Sequence, residues 1–151
     1  GLGAPVGSLV LGSAAFIRQA RRTRKILGGG MRQAGVLAAA GHYALQHHVR
    51  RLAEDHANLH TLESGMRAVG ENHPVLRGRI TVHPWQTNIL FTDVQADVAP
   101  AFTAWLAQHQ IRVTSSLYGG QSRLRWVTHL DVNAADVQAA LDCVARFTLP
   151  G

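Results

Sequence analysis

Along the first half of the chain apolar positions recur at helical intervals. Phe16, Ile17, Ala20 and Leu27 share such a spacing behind Ser13, a good N-cap, and Gly28 stands where a helix C-cap glycine would. The other faces of that helix carry Arg18, Arg21, Arg22 and Lys25. A second helix is expected from about Met31 through "QAGVLAAAGHYAL", its small residues from Ala34 to Gly41 permitting close packing, with "QHHV" breaking or bending it. A third carries Leu52, Leu59, Leu62, Met66 and Val69 on one stripe and ends at Gly70. Ahead of all three, "VGSLVLG" (Val6 to Gly12) reads as a short, buried-type strand bracketed by glycines.

The pattern changes after about Gly70 to Pro74. Strand signals follow at Gly78–Val82, Thr87–Val94, Ile111–Leu117 and Arg123–Leu130. A helix of about Val98 to His109 separates the second from the third. A last helix starts at Asn133, whose side chain can cap, with Asp136 at the third helical position as a capping-box analogue. The order β-β-α-β-β-α reads as a small α+β layer with helices on one face. No internal repeat or low-complexity tract interrupts it.

Composition narrows the function classes. With 151 residues, 46% of them apolar, the chain can bury a core and is not a disordered tail. No apolar run approaches the roughly 20 residues of a membrane span, and "GLGAPVGSLVLG" lacks the basic leader of a signal peptide. One cysteine, Cys143, excludes an internal disulfide and suits a reducing cytoplasm. The charge is basic, 15 Lys+Arg against 9 Asp+Glu, but Lys25 is the single lysine and the arginines are scattered. Solvated faces explain such a distribution better than a nucleic-acid footprint, in which cations cluster.

Four features carry candidate chemistry. "GLGAPVG" has the glycine spacing G-x-G-x-x-x-G and precedes a strand, so it fails the dinucleotide fingerprint, which needs G-x-G-x-x-G between a strand and a helix. His56 and His60 lie four apart on a helix and could share a face, but no HExxH and no cysteine partner accompanies them, so they read as exposed histidines and no metal site is expected. Arg32 follows three glycines at a helix start, where free N–H groups and a guanidinium suit a phosphate. The residues alone leave that reading level with a merely solvated arginine. On "RLRWVTHL", alternation puts Leu124, Trp126 and Thr128 on one face and Arg123, Arg125, Val127 and His129 on the other. Arg125 therefore faces either solvent or a cleft in which it could grip a carboxylate.

Taken in order, "GLGAPVGSLVLGS", "RKILGGGMRQAGVLAAAGHYAL", "RLAEDHANLHTL", "TNILF" and "RLRWVTHLDV" resemble the C-terminal portion of the low-specificity threonine aldolases, a pyridoxal-phosphate-dependent family. The resemblance spans essentially the whole chain; "GGGMRQAG" and "VTHLDV" are its most specific parts. It implies an aspartate-aminotransferase-like fold: residues 1–70 would be an α/β remnant of the large cofactor-binding domain, a strand plus helices, and 71–151 a small C-terminal α+β domain. It implies that Arg32 helps hold the cofactor phosphate, that Lys25 stands near the substrate pocket of a neighbouring subunit, and that Arg125 receives the amino-acid α-carboxylate. The Schiff-base lysine of the family immediately precedes "GLGAPVGS", which puts it upstream of Gly1, outside this chain, together with the ring contacts and the catalytic base. These 151 residues by themselves are accordingly expected to be inactive.

The activity implied is cleavage of L-threonine or L-allo-threonine to glycine and acetaldehyde by a cytoplasmic homotetramer with active sites at subunit interfaces. One alternative is a related enzyme acting on another β-hydroxy amino acid such as phenylserine. An alternative of another class is a nucleic-acid-binding module using Arg18, Arg21, Arg22, Arg24 and Lys25, which lacks an evident aromatic platform. Neither a nucleic acid nor a membrane is expected as a partner.

Overall fold

The computed structural model describes residues 1–149. They fall into two compact units, Leu2–Arg50 and Arg51 onward.

The first unit holds α1 (Ala14–Ile26) and α2 (Gly35–His47). Ser13 caps α1 as its sequence foretold, its hydroxyl accepting the Phe16 N–H at 3.3 Å. At the other end the three glycines form a Schellman turn. Gly28 adopts φ +84°, its N–H reaches the Lys25 carbonyl at 3.2 Å, and the Gly29 N–H reaches the Arg24 carbonyl at 2.8 Å. Helix α2 begins at Gly35 rather than near Met31, because Ala34 supplies no side-chain cap and residues 32–34 form a turn instead. Its end at His47 falls in the "QHHV" break.

The strand expected at Val6–Gly12 is absent, a correction to the sequence reading. No strand among the described residues lies alongside it, and an isolated strand leaves its N–H and C=O groups unpaired. Val6, Leu9, Val10 and Leu11 are all exposed. Buried-type composition records what a segment could pair with, not whether a partner is present.

The second unit holds α3 (Leu52–Asn72), β1 (Ile80–Val82), β2 (Ile89–Val94), α4 (Ala99–Gln108), β3 (Thr114–Tyr118), β4 (Gln121–Val127) and α5 (Ala134–Ala145). Every pairing is antiparallel and the sheet order is β1-β2-β4-β3. One face is covered by helices. Leu59, Leu62 and Met66 of α3, Phe102 and Leu106 of α4, and Val137 and Val144 of α5 enclose Leu90, Val94, Leu124 and Trp126 of the strands. Close approach of α3 to α5 depends on Gly65, whose missing Cβ would lie 2.5 Å from the Leu141 side chain. Two polar side chains in this core are satisfied: the Trp126 indole donates to the Thr92 hydroxyl at 3.0 Å, and the Thr128 hydroxyl donates to the Asp55 carbonyl at 2.7 Å, whereas the buried His73 Nε2 has no partner among the described residues.

Asp55, fully buried near the start of α3, is the residue that the stripe Leu52, Leu59, Leu62, Met66 did not announce. Arg51, one turn earlier, grips it with two guanidinium bonds of 3.0 and 3.3 Å. The third strand begins at Thr114, not Ile111. Gln110 takes φ 61° and the Ile111 N–H closes on the Leu106 carbonyl at 2.9 Å, so residues 109–111 end α4 rather than start a strand. β3 is an edge strand, exposed throughout.

At the far end Asn133 and Asp136 form the reciprocal capping box anticipated for α5. The C-terminus of α3 runs to Asn72, two residues beyond Gly70. There His73 Nδ1 accepts the N–H groups of Val75 and Leu76, both at 3.1 Å. Burial lowers the His73 pKa, against the opposing pull of the Ala145 and Phe147 carbonyls.

Candidate active-site residues

Lys25 and Arg32 belong to the first unit, and both are exposed. The Schellman turn sets the local geometry around Lys25. It folds the glycines back over the last turn of α1, so that a Cβ at Gly30 would lie 3.4 Å from Lys25 Nζ and at Gly29 3.0 Å from the Arg24 carbonyl. Glycine at 29 avoids that backbone crowding, whereas a Cβ at 30 would make only ordinary contact with the Lys25 ammonium group. Between Leu2 and Arg50 there are seven arginine and lysine side chains and not one aspartate or glutamate. No carboxylate within this unit can therefore neutralise Lys25 or Arg32, and an anion is the complement the unit lacks.

Arg125 belongs to the second unit. It lies on β4, on the sheet face opposite the helices, where the alternation of Leu124, Trp126 and Thr128 inward and Arg125 and Val127 outward is as expected. Across the strands it is in register with Phe91 of β2 and Thr114 of β3. It is exposed and makes no ion pair among the described residues.

Arg123, two residues earlier on the same face, is in a different state, and the sequence did not reveal it. Its Nε and Nη2 donate to the two carboxylate oxygens of Asp93, each at 2.7 Å, and His83 Nε2 donates to Asp93 Oδ2 at 2.7 Å. The guanidinium carbon sits 3.9 Å from the Tyr118 ring centre and 5.8 Å from that of Phe91. Arg123 hydrogen bonding holds the Asp93 carboxyl below the usual carboxylate range despite its burial, with His83 helping; in return Asp93 raises the Arg123 pKa. The signal that could have found this cluster is strand register. Asp93 faces Arg123 directly across β2 and β4, but these strands are joined through α4 and β3 rather than by a hairpin turn, so no local sequence signal sets their register.

Of the two histidines expected to be exposed, His60 is and His56 is not. His56 is half-buried, and His56 and His60 both flank the Trp85 ring, with centroids 6.3 and 6.1 Å away. Among the described residues no group of three or more His, Cys, Asp or Glu side chains is placed to hold a metal ion. Burial pushes the Cys143 thiol up, so it stays protonated. Among the described residues no helix is long and apolar enough to cross a membrane.

The beta-eliminating lyase family model matches residues 1–97, well over half the chain. The chain belongs to the beta-eliminating lyase family. Within that setting it is 39% identical over 149 residues to a probable low-specificity L-threonine aldolase of Arabidopsis thaliana, covering 97% of this chain and 40% of that protein. It is 41% identical over 133 residues to the low-specificity L-threonine aldolase of Escherichia coli K12, covering 88% of this chain and 36% of that protein. It thus spans about two fifths of the length of these curated relatives.

In structure it is similar to 8-amino-7-oxononanoate synthase from Francisella tularensis, with a TM-score of 0.63 and 18% identity over 89% of this chain and 39% of that one. That likeness shows the fold: helices followed by a small antiparallel sheet, a piece of the pyridoxal-phosphate-dependent transferase-like fold that the sequence resemblance implied. The nucleic-acid alternative is not favoured, since the similarity to named aldolases runs through the very helix, α1, whose arginines suggested it.

Proposed function

We propose that the protein acts as a pyridoxal-phosphate-dependent L-threonine aldolase, a carbon–carbon lyase that splits L-threonine or L-allo-threonine into glycine and acetaldehyde. The observation that carries the reading is Arg125: an exposed arginine without an ion partner among the described residues, on the open face of the sheet, in a chain 39–41% identical to low-specificity L-threonine aldolases. A cation left unpaired beside a bidentate Arg–Asp pair is suited to an incoming carboxylate.

In this reading Arg125 receives the substrate α-carboxylate through two parallel N–H···O bonds. Holding the carboxylate helps set which bond at Cα is aligned for cleavage. Arg32 takes the cofactor phosphate, for which the carboxylate-free first unit is electrostatically suited. Lys25, from a neighbouring subunit, orients substrate or water with its ammonium group. When bound, pyridoxal phosphate supplies the electron sink that cleavage between Cα and Cβ requires.

The complete enzyme would be a cytoplasmic homo-oligomer, a tetramer in the form the resemblance implies. Support for assembly comes from the first unit, where α1 buries no residue and Ile26, Leu27, Met31, Val36 and Tyr43 are all exposed. The division into a large-domain segment, 1–70, and a small domain, 71–151, is proposed for the complete enzyme on the resemblance alone.

The direct test is product analysis. Incubated with L-threonine or L-allo-threonine, the complete holoenzyme is expected to release glycine and acetaldehyde in equal amounts. Turnover of phenylserine with none of either threonine isomer would move the assignment to another β-hydroxy amino acid, and absence of any retro-aldol product would refute it.

A further inference from the structure

We propose that Arg123 is a positioning residue that keeps Arg125 free for substrate by occupying the one carboxylate able to compete for it. The inference rests on the assignment of Arg125 to the α-carboxylate. Asp93 is the only acidic residue in the four strands. It lies on the same open face as Arg125, one pair along: Asp93 is opposite Arg123, and Phe91, two residues before it on β2, is opposite Arg125. Asp93 and Arg125 are therefore diagonal cross-strand neighbours, a separation that a long side chain spans.

Left alone, Asp93 would be a resident anion beside the substrate site, pairing with Arg125 or repelling the incoming carboxylate. Arg123 prevents both. Its two 2.7 Å bonds take both oxygens of Asp93, and His83 takes a further lone pair on Oδ2 at 2.7 Å. The ring of Tyr118, 3.9 Å from the guanidinium, together with Phe91 holds that guanidinium over Asp93 instead of letting it swing along the strand. The face thus carries two arginines and one carboxylate, and geometry assigns the carboxylate to Arg123. The uncompensated charge at Arg125 is a product of this arrangement, not of Arg125 alone.

The test measures glycine binding to the complete holoenzyme, followed by the change in cofactor absorbance, alongside threonine kinetics. Arg123→Gln is expected to weaken glycine binding about tenfold, from one added unpaired charge near Arg125, and to raise KM with kcat little changed. Arg123→Gln/Asp93→Asn, which removes the competing charge, should bring binding back to within about twofold of wild type. Arg123→Lys, keeping the charge but one point of contact, should fall between.

If Arg123→Gln does not fold, the comparison of Arg123→Lys with Arg123→Lys/Asp93→Asn carries the test, and rescue is again required. Unchanged glycine binding in the Arg123 variants, or a double variant as weak as the single, overturns the inference while leaving Arg125 as the carboxylate site. Unchanged binding in Arg125→Lys overturns the assignment of Arg125 itself, and this inference with it.

Discussion

Arg123 and Arg125 are separated by one residue, share a strand and a face, and carry the same charge, yet one is locked to a carboxylate and the other has none among the described residues. Which arginine is which was half legible. Period-2 alternation put both on the exposed face, and the threonine-aldolase resemblance singled out Arg125. The pairing of Arg123 with Asp93 and His83 was not legible, because it joins residues 30 and 40 positions apart through strand register. Arg32 presents a comparable ambiguity, and its environment narrows it: the first unit contains no carboxylate to occupy it. Replacing Arg32 with alanine is expected to cost about 1.5–3 kcal/mol of cofactor affinity, the worth of one charge-assisted contact. Cofactor retained after dialysis, read by absorbance, checks it; retention equal to wild type would make Arg32 a solvated side chain.

At the scale of elements, helix ends were read better than strand ends. Ser13, Gly28, Asn133 and Asp136 act through local side-chain or backbone geometry, so their roles follow from short sequence stretches. Val6–Gly12 and Ile111–Val113 failed because a strand exists only by pairing. The two Schellman turns permit a matched test. Gly28 at φ +84° tolerates no Cβ without strain, so Gly28→Ala should destabilise by about 1–2 kcal/mol. Gln110 holds φ 61° with a side chain, so Gln110→Gly should lower stability little or raise it by up to about 1 kcal/mol. Thermal unfolding of both variants measures the contrast, and a stabilising Gly28→Ala would contradict it.

The end of α3 carries a pH dependence. His73 has a folded pKa below 6.5, so its contribution to stability is complete above about pH 6.5 and is lost as pH falls through the folded value, the unfolded chain taking up the proton first. The protection factors of the Val75 and Leu76 amides, exchange rates corrected for their intrinsic pH dependence, are expected to fall on acidification more in wild type than in His73→Asn, which keeps an acceptor but does not titrate. An equal fall would locate the acid sensitivity elsewhere.

For the whole molecule, the α+β order, the single helical face, the α3 stripe and the inward face of β4 were legible in periodicity. Composition changes near Gly70 to Pro74, whereas packing within this chain divides it between Arg50 and Arg51. The stripe on α3 explains the difference, since Leu59, Leu62 and Met66 are buried in one core with the sheet that follows.

The family was legible through resemblance, and the chain's own chemistry narrows to a few cations with no carboxylate partner among the described residues. Central to the account is that Arg125 grips the substrate α-carboxylate bidentately. Arg125→Lys keeps the charge and removes the fork, so the decisive measurement is kcat/KM of that variant in the complete holoenzyme, with L-threonine and with phenylserine. A fall of about 10- to 100-fold with both substrates is expected, cofactor content and folding staying normal and discrimination between the two barely moving. Wild-type kcat/KM in the lysine variant would remove Arg125 from the active site and contradict the account.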